Sequence, residues 1–451
     1  MDPAFDALRP PQAALVADCV HCGFCLPSCP TYLLWGEEMD SPRGRIHLID
    51  QGLKGAPLTD SMVQHLDACL GCMACVTACP SGVKYDRLIE ASRAQVERRH
   101  QRPRSQRLLR MAIFAFFPYP RRLRLARGPL RLYQSSGLPR LLRARGLLDR
   151  LSPTLAAMEQ LAPPVATRIR LPQRVPALGA RRATVGLLTG CVQSEFFPGV
   201  NEATARVLAA EGCEVVIPRV QSCCGALSGH VGREEEARRF ARSVIDTFEA
   251  AGVDQVVVNS AGCGSAMKQY AELLADDPRY ADSAARFAAR VRDVCELLVE
   301  LIAEHGPAAP RHPLPVTVAY HDACHLSHSQ GIRQQPRDLL RGIPGLELRE
   351  IADPAICCGS AGVYNILNPV PARQLGDRKA ADVLHTGAQW LVTANPGCLM
   401  QIAASVRRSA GQIGLAHTVQ ILDSAINRTP LPGVARRHSA HDQPSNASNA
   451  S

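Results

Sequence analysis

The spacing of apolar residues changes character at about residue 180. Upstream it is helical. Ser41 fits an N-cap and Pro42 a first helical position, and RGRIHLIDQGL follows them. Met62 to Leu66 forms a second apolar-spaced segment and DRLIEASRAQVERR a third. Between 98 and 180, segments such as QRLLRMAIFAFF and RLLRARGLLDRL interleave apolar residues with arginine. Pro103, Pro118, Pro120 and Pro129 are expected to break them into short helices. Downstream the pattern alternates. TVGLLTGC, EVVIP and QVVVNSAGC are apolar runs that predict buried strands, and VNEATARVLAAEG and REEEARRFARSVIDTFEAAG between them have helical periodicity. The series then recurs as VTVAYHDAC, PRDLLRGIPG, LELREI, ARQLGDRKAADVLHTG and WLVTANPGC. Strands alternating with helices predict parallel sheets with crossover helices.

This alternation is an internal repeat, and cysteines mark it. One copy carries Cys191, the pair Cys223–Cys224 and Cys263; the other carries Cys324, the pair Cys357–Cys358 and Cys398. The steps from single cysteine to pair are 32 and 33 residues, and those from pair to last cysteine are 39 and 40. The cysteine loops follow predicted strands, and α/β sheets place ligands at the carboxyl ends of strands. Gly225 and Gly359 permit the sharp turn needed beside each pair. Each quartet is therefore expected to converge, either to bind further iron–sulfur or zinc or as reduced thiols lining a docking crevice. An adjacent-cysteine disulfide is strained and poorly suited to stapling a fold. His321, His325 and His328 flank Cys324, as candidates for the same site or as satisfied structural histidines. Cys213 and Cys295 are expected in the core.

The remaining eight cysteines fall in two runs, CVHCGFCLPSCP at 19–30 and CLGCMACVTACP at 69–80. Both read Cys-x-x-Cys-x-x-Cys-x-x-x-Cys-Pro, the bacterial ferredoxin run, in which three thiolates serve one [4Fe–4S] cube and the fourth serves the other. The expected ligand sets are Cys19, Cys22, Cys25 and Cys79 for one cluster, and Cys69, Cys72, Cys75 and Cys29 for the other. Disulfides or zinc knuckles are the alternative, but zinc sites pair two cysteines with ligands well downstream. The 39 residues between Cys29 and Cys69 exceed what a compact hairpin ferredoxin needs, so this region is expected to be helical.

Composition narrows the class. With 451 residues and 46% apolar content the chain can bury several cores. Its net charge is +10, yet positions 98–150 alone hold fifteen Arg against one acid, Asp149. A basic amphipathic stretch can lie on an anionic membrane or dock an acidic partner; the alternative is a connector packed on its own protein. The first twenty residues lack a basic n-region and an apolar h-region, and no run of eighteen apolar residues occurs. The expected compartment is a reducing cytoplasm, with peripheral contact at the inner face of the membrane. No nucleic-acid partner is expected.

Two ferredoxin runs followed by two Cys…Cys-Cys-Gly…Cys repeats resemble a known family. CVHCGFCLPSCPTY, DSPRGRIHLI, HLDACLGCMACVTACPSGVKY, ATARVL, CCGSAGVYN and VTANPGC are similar to the iron–sulfur subunit of bacterial glycolate oxidase (glycolate dehydrogenase). The cysteine-rich subunits of heterodisulfide reductase, anaerobic glycerol-3-phosphate dehydrogenase and lactate-utilisation systems are more distant likenesses. The resemblance implies an electron-carrying subunit of a 2-hydroxy-acid dehydrogenase, beside flavin-containing subunits and passing electrons towards a quinone-linked acceptor. The residues agree, since no GxGxxG dinucleotide fingerprint opens a helix after a strand. Nor does a His–carboxylate spacing call for proton abstraction, so substrate chemistry is expected on another chain and catalytic residues here stay unassigned. The pattern departs from heterodisulfide reductase at Ala266 and Gln401, where that family usually has a second cysteine, so its unusual cluster is not carried over. The rival functions are a lactate or glycerol-3-phosphate dehydrogenase subunit, a thiol–disulfide enzyme, and a scaffold.

The expected architecture is thus α+β and multidomain. A helical two-cluster ferredoxin domain (11–97) leads through an Arg-rich helical connector (98–180) into a duplicated α/β cysteine-rich domain with parallel sheets (181–305 and 314–426). A disordered tail (430–451) is expected to close the chain.

Overall fold

A computed structural model describes residues 2–432 apart from 145 and 410. Nearly all of the tail expected to be disordered therefore lies outside the described residues.

The second half contains two sheets. The first has β1 (Arg174–Val175), β2 (Ala183–Leu188), β3 (Cys213–Val216), β4 (Gln255–Val258) and β5 (Val291–Asp293), in the order β1-β3-β2-β4-β5. The second has β6 (Thr317–Tyr320), β7 (Glu347–Glu350), β8 (Trp390–Thr393) and β9 (Gly414–His417), in the order β7-β6-β8-β9. Setting β1 aside, the two orders are the same and every pairing is parallel, with Val185 opposite Gln255 in one sheet and Val318 opposite Trp390 in the other. The exception comes from the proline-rich linker. β1 pairs antiparallel with β3, at a sheet edge, where the flanking Pro172 and Pro176 deprive the ladder of nothing. Neither β1 nor the three-residue β5 is long enough to leave a period in the sequence.

Side chains alternate across each sheet, and this divides the core into layers. Val185, Leu187 and Val257 point to one face of the first sheet; Val318, Tyr320 and Val392 point to the facing side of the second. Between them lie the helices Pro198–Ala210, Val294–His305, Gln334–Arg341 and Thr418–Asn427, so one apolar layer is shared by both repeats. The outer faces have their own cores, with Leu188, Val256 and Val258 in the first repeat and Ala319 and Leu391 in the second. An ion pair from Arg206 to Asp423, 2.5 Å, ties the two repeats at the edge of the shared layer.

The first hundred residues are helical. Ser41 caps Pro42–Leu53 by accepting from Gly44 N–H at 3.0 Å, and Thr59 caps Asp60–Ala68 in the same way through Met62. Ile46, Ile49, Met62, Val63 and Leu66 from these helices meet Leu88, Ile89 and Val96 from Tyr85–Arg99. The arginine-rich segment then forms short helices that begin with Arg104–Phe116 and Pro120–Ser135. Pro129 does not break the second of these: it lies inside the helix on an exposed turn, where water can reach the carbonyl that it leaves unpaired. Ile113 and Phe114 are buried against Val363 and Ile366 of the second repeat, with Leu227 and Val231 of the first at the rim. The connector is therefore a strap across both repeats.

The helix Tyr85–Arg99 docks on the first repeat at Gly232. With φ +85°, a Cβ there would stand 2.1 Å from the Arg93 carbonyl oxygen. Gly252, with φ +61°, caps a helix with nothing within 4 Å of its Cβ position. Gly252→Ala should cost only the left-handed penalty of about 1–2 kcal/mol. Gly232→Ala adds a clash with backbone, so its melting temperature should fall further than that of Gly252→Ala. Equal losses in thermal unfolding would contradict the close approach.

Candidate functional site

The two ferredoxin runs fold around two adjoining cavities. Cys29, Cys69, Cys72 and Cys75 line the inner one, with Arg45 and Tyr85. The outer one is lined by Cys19, Cys22, Cys25 and Cys79, and Cys75 reaches its wall. Each cavity thus takes three thiols from one run and the fourth from the other. Among the described residues, no three of these eight sulfurs lie within 4.8 Å of one another. A single tetrahedral ion with bonds of about 2.3 Å would need sulfurs about 3.8 Å apart. The spread suits a larger group with several metal atoms, and the donor set, all thiol, suits a cube.

The cavities differ in exposure. Cys22 is exposed at the surface, between Val20 and Phe24, whose side chains are 67% and 66% exposed. Cys29, Cys69, Cys72 and Cys75 are buried. Beneath the inner group lies a buried cation. Arg45 is 1% exposed and donates to the Asp40 carboxylate at 3.0 Å, to Thr31 Oγ1 at 3.1 Å and to the His65 carbonyl at 2.7 Å; its Nη1 is 4.0 Å from Cys29 Sγ. Burial opposes its charge, but Cys69, Tyr85, Cys29 and Asp40 outweigh burial and hold its pKa above the usual value. Cys69 is the counterpart. Burial would push its thiol up, yet Arg45, Arg93 and the Tyr85 hydroxyl, 3.5 Å from Sγ, bring it below the ordinary value. Cys72 and Cys75 are pushed well up, by burial first and then by neighbouring thiols.

The inner cavity abuts the second repeat. Cys72 packs in one buried cluster with Leu70, Ala74, Cys324, Cys357 and Tyr364. His328 fixes this junction, with Nδ1 at 2.8 Å from Thr77 Oγ1 and Nε2 at 3.0 Å from the Ala355 carbonyl, so it is a satisfied structural histidine. Both repeat quartets gather at the carboxyl ends of their strands. In the first, Cys191 and Cys223 sulfurs are 3.7 Å apart, and Cys224 sits between Cys223 and Cys263. Hydrogen bonds from those two thiols draw the Cys224 thiol below its usual pKa. In the second, Cys324 neighbours Cys357, and Cys358 neighbours Cys398. Gly225 and Gly359, φ +83° and +86°, pass so close to Ala237 and Ala372 that a side chain would meet their backbone oxygens at 3.0 and 2.6 Å. Cys213 and Cys295 are fully buried and belong to neither quartet.

His230 and His325 pack together beside Cys324. Their rings meet edge to face at 4.7 Å, and His325 Nδ1 is 3.4 Å from Cys324 Sγ. Both border a cavity of about 350 Å³ whose wall includes Cys224, Glu90 and Tyr270. Burial, with Asp86 nearby, pushes the Glu90 carboxyl up to about 7.

Comparison with known proteins agrees with this layout. Residues 15–83 match the 4Fe-4S dicluster domain, and residues 185–268 and 318–403 both match the cysteine-rich domain. The strap, residues 105–162, matches the linker region of the glycolate oxidase iron-sulfur subunit. The probable glycolate oxidase iron-sulfur subunit of Bacillus subtilis (strain 168) is 39% identical over 413 residues, covering 90% of this chain and 93% of that one. The chain belongs to the glycolate oxidase iron–sulfur subunit family. The glycolate oxidase iron-sulfur subunit of Escherichia coli (strain K12) is 35% identical over 435 residues, 94% of this chain and 98% of the relative. Lactate utilization protein A of Shouchella clausii (strain KSM-K16) is 33% identical over 240 residues, which is 98% of its own length but 53% of this chain.

For this member of the glycolate oxidase iron–sulfur subunit family, sequence reasoning found the thiols and missed what surrounds them. Arg45, Arg93 and Tyr85 went unnoticed. A signal existed for the arginines: Arg45 lies four residues before Ile49 on the buried face of its helix, and Arg93 four after Ile89 on its own. A charged residue at a core position of an amphipathic helix needs a buried partner.

Proposed function

We propose that this chain is the electron-transfer subunit of a glycolate dehydrogenase complex. It takes electrons from a flavin-containing subunit that oxidises glycolate to glyoxylate and passes them towards a quinone-linked acceptor. The observation that carries this reading is the continuous series of thiol groups from exposed Cys22, through buried Cys72, to Cys324 and Cys357. Cys19, Cys22, Cys25 and Cys79 would hold the outer [4Fe–4S] cluster, and Cys69, Cys72, Cys75 and Cys29 the inner one. When bound, each cube supplies a one-electron redox centre. The chain's own residues then have distinct tasks. Val20 and Phe24 offer an apolar landing for the flavoprotein at the outer group. Arg45 and Arg93 balance the negative charge of the inner group, and Tyr85 donates a hydrogen bond to it. A quinone-type acceptor takes protons with its electrons, and Glu90, on the wall of the cavity that Cys224 also borders, is poised to exchange one near neutrality.

Glycolate is preferred to lactate because the likeness to glycolate oxidase subunits includes the strap and spans nine-tenths of the chain, whereas the lactate-utilisation likeness spans half. Co-purification with its flavoprotein, followed by assay on glycolate and D-lactate, tests the choice; turnover of D-lactate alone would reject it.

The strap presents a second surface. Leu108, Met111, Phe116, Leu125 and Leu132 are exposed among Arg104, Arg107, Arg121 and Arg131, and no helix in the described residues is long and apolar enough to cross a membrane. We read it as a peripheral attachment to anionic lipid or to an acidic partner. Such contact is screened over about 8 Å at physiological salt. Liposome flotation and partner pull-down should weaken along a salt series, and insensitivity in both would leave the strap as packing alone.

Two variants test the centres. The intact chain should contain about eight iron and eight sulfide in its two cubes. Cys29→Ser should damage the cluster built on Cys69, Cys72 and Cys75 in paramagnetic resonance; selective damage to the Cys19 cluster would reverse the assignment. Tyr85→Phe removes one hydrogen bond to Cys69 Sγ with little change of shape. It should lower the inner cluster's reduction potential by roughly tens of millivolts, since hydrogen bonds to sulfur favour the reduced, more negative state. An unchanged or raised potential in a redox titration would exclude that role.

A further inference from the structure

The two repeats share a topology but not a chemistry. His321 follows β6 directly, and its ligating nitrogen lies with Cys358 Sγ and Cys398 Sγ so that all three atoms are within 4.8 Å of one another. It is the only such group of histidine, cysteine or carboxylate ligands among the described residues. His321 is 1% exposed, and neither ring nitrogen has a hydrogen-bond partner. A buried imidazole with both nitrogens unpaired is a costly arrangement that a ligand would relieve. Lys379, also 1% exposed, lies near Cys357 and Cys358 and donates to the Asp353 carbonyl, so a cation faces this quartet from the helix behind it.

The first repeat has none of this. Counting back three residues from Cys191 and from Cys324 sets Leu188, a buried side chain of the outer core, opposite His321. Matching Gly225 beside Ala237 with Gly359 beside Ala372 places Val244, a buried core residue, opposite Lys379. The cysteine pattern is duplicated, but the nitrogen donor and the buried cation are not.

We propose that His321, Cys358 and Cys398 bind a single divalent ion, zinc by the chemistry of the donors, in the second repeat alone. Two thiolates and an imidazole are a borderline-soft set suited to zinc. Tetrahedral bonds of about 2.0–2.3 Å place such ligand atoms about 3.4–3.8 Å apart, a short closure from the observed spread. A cube, with each thiolate on its own iron, spreads its sulfurs wider. Binding releases two thiol protons, and the two thiolates neutralise the ion. The fourth corner is left to a small ligand, and Cys324 and Cys357 remain outside as a pair. This site is independent of which hydroxy acid the complex oxidises and of how the ferredoxin cysteines are shared between cubes.

The test is made on the full chain with its iron in place. Elemental analysis should find about one zinc per chain besides the iron. Zinc should be retained in Cys263→Ser and depleted in His321→Gln and Cys398→Ser. Cobalt(II) added to zinc-depleted protein should give the intense visible bands and thiolate charge transfer of a four-coordinate site, with binding at least about tenfold weaker in His321→Gln. Zinc X-ray absorption on the unaltered chain should report two sulfurs and at least one nitrogen, and it decides the matter even where a variant does not fold. The proposal is overturned by a chain without zinc and without the cobalt bands, or by binding undiminished in His321→Gln. An all-sulfur shell, loss of the metal in Cys263→Ser, or extra iron in place of zinc overturns it equally.

Discussion

A thiolate is tolerated in a protein interior only when something cancels the cost of removing its charge from water. Most of this chain's cysteines are buried, and the fold is arranged around that constraint. Cys69 is kept below its ordinary pKa because Arg45 and Arg93 stand beside it. Those guanidiniums are themselves affordable only because Asp40, Thr31 and main-chain carbonyls receive them: Arg45 at the His65 carbonyl, Arg93 at the Cys69 and His230 carbonyls. The same contacts hold three elements together. Arg45 joins the Pro30–Trp35 and Pro42–Leu53 helices to the one before the second cysteine run, and Arg93 joins the cysteine loop to the first repeat. Charge compensation and assembly are thus one set of bonds, and removing a single partner would leave a buried charge alone, at about 3–5 kcal/mol.

Much of this was legible in the sequence, for reasons that differ by region. The repeats announced themselves because a parallel strand buried on both faces must be a short apolar run, and each run ended in a cysteine; β2, β4, β6 and β8 stand where those runs lie. The helix start at Pro42 was readable at Ser41, because capping is local chemistry, whereas the cap at Thr59 was not read. Contacts between distant segments left no such mark. Nothing in the spacing of Cys72 says that it packs against Cys324, and nothing around Lys379 distinguishes it from a solvent-facing residue of an amphipathic helix. Pro129 shows the opposite error, a local rule applied where an exposed turn lets the helix continue.

Duplication and divergence can be separated here. What both repeats keep is geometric: strand order, the glycine that follows the cysteine pair, and the approach of that glycine to the next helix. What differs is the polarity of the wall around the sulfurs. Tyr270 donates to the Cys224 carbonyl at 2.7 Å in the first copy, whereas His321 and Lys379 crowd the second. The scaffold fixes where four sulfurs meet and leaves open what they meet.

The apolar layer between the two sheets makes each repeat depend on the other. Each repeat contributes two of the helices that fill it, and the facing strands of both sheets cover it, so neither repeat encloses that layer alone. A chain carrying one repeat of this pattern would leave a sheet face and two helices uncovered, and it would need a partner surface to bury them. Carrying both repeats on one chain therefore closes the layer within a single molecule. Tandem linkage makes the pairing of the two halves independent of concentration, so the lining of one can differ from that of the other while the shared layer stays closed.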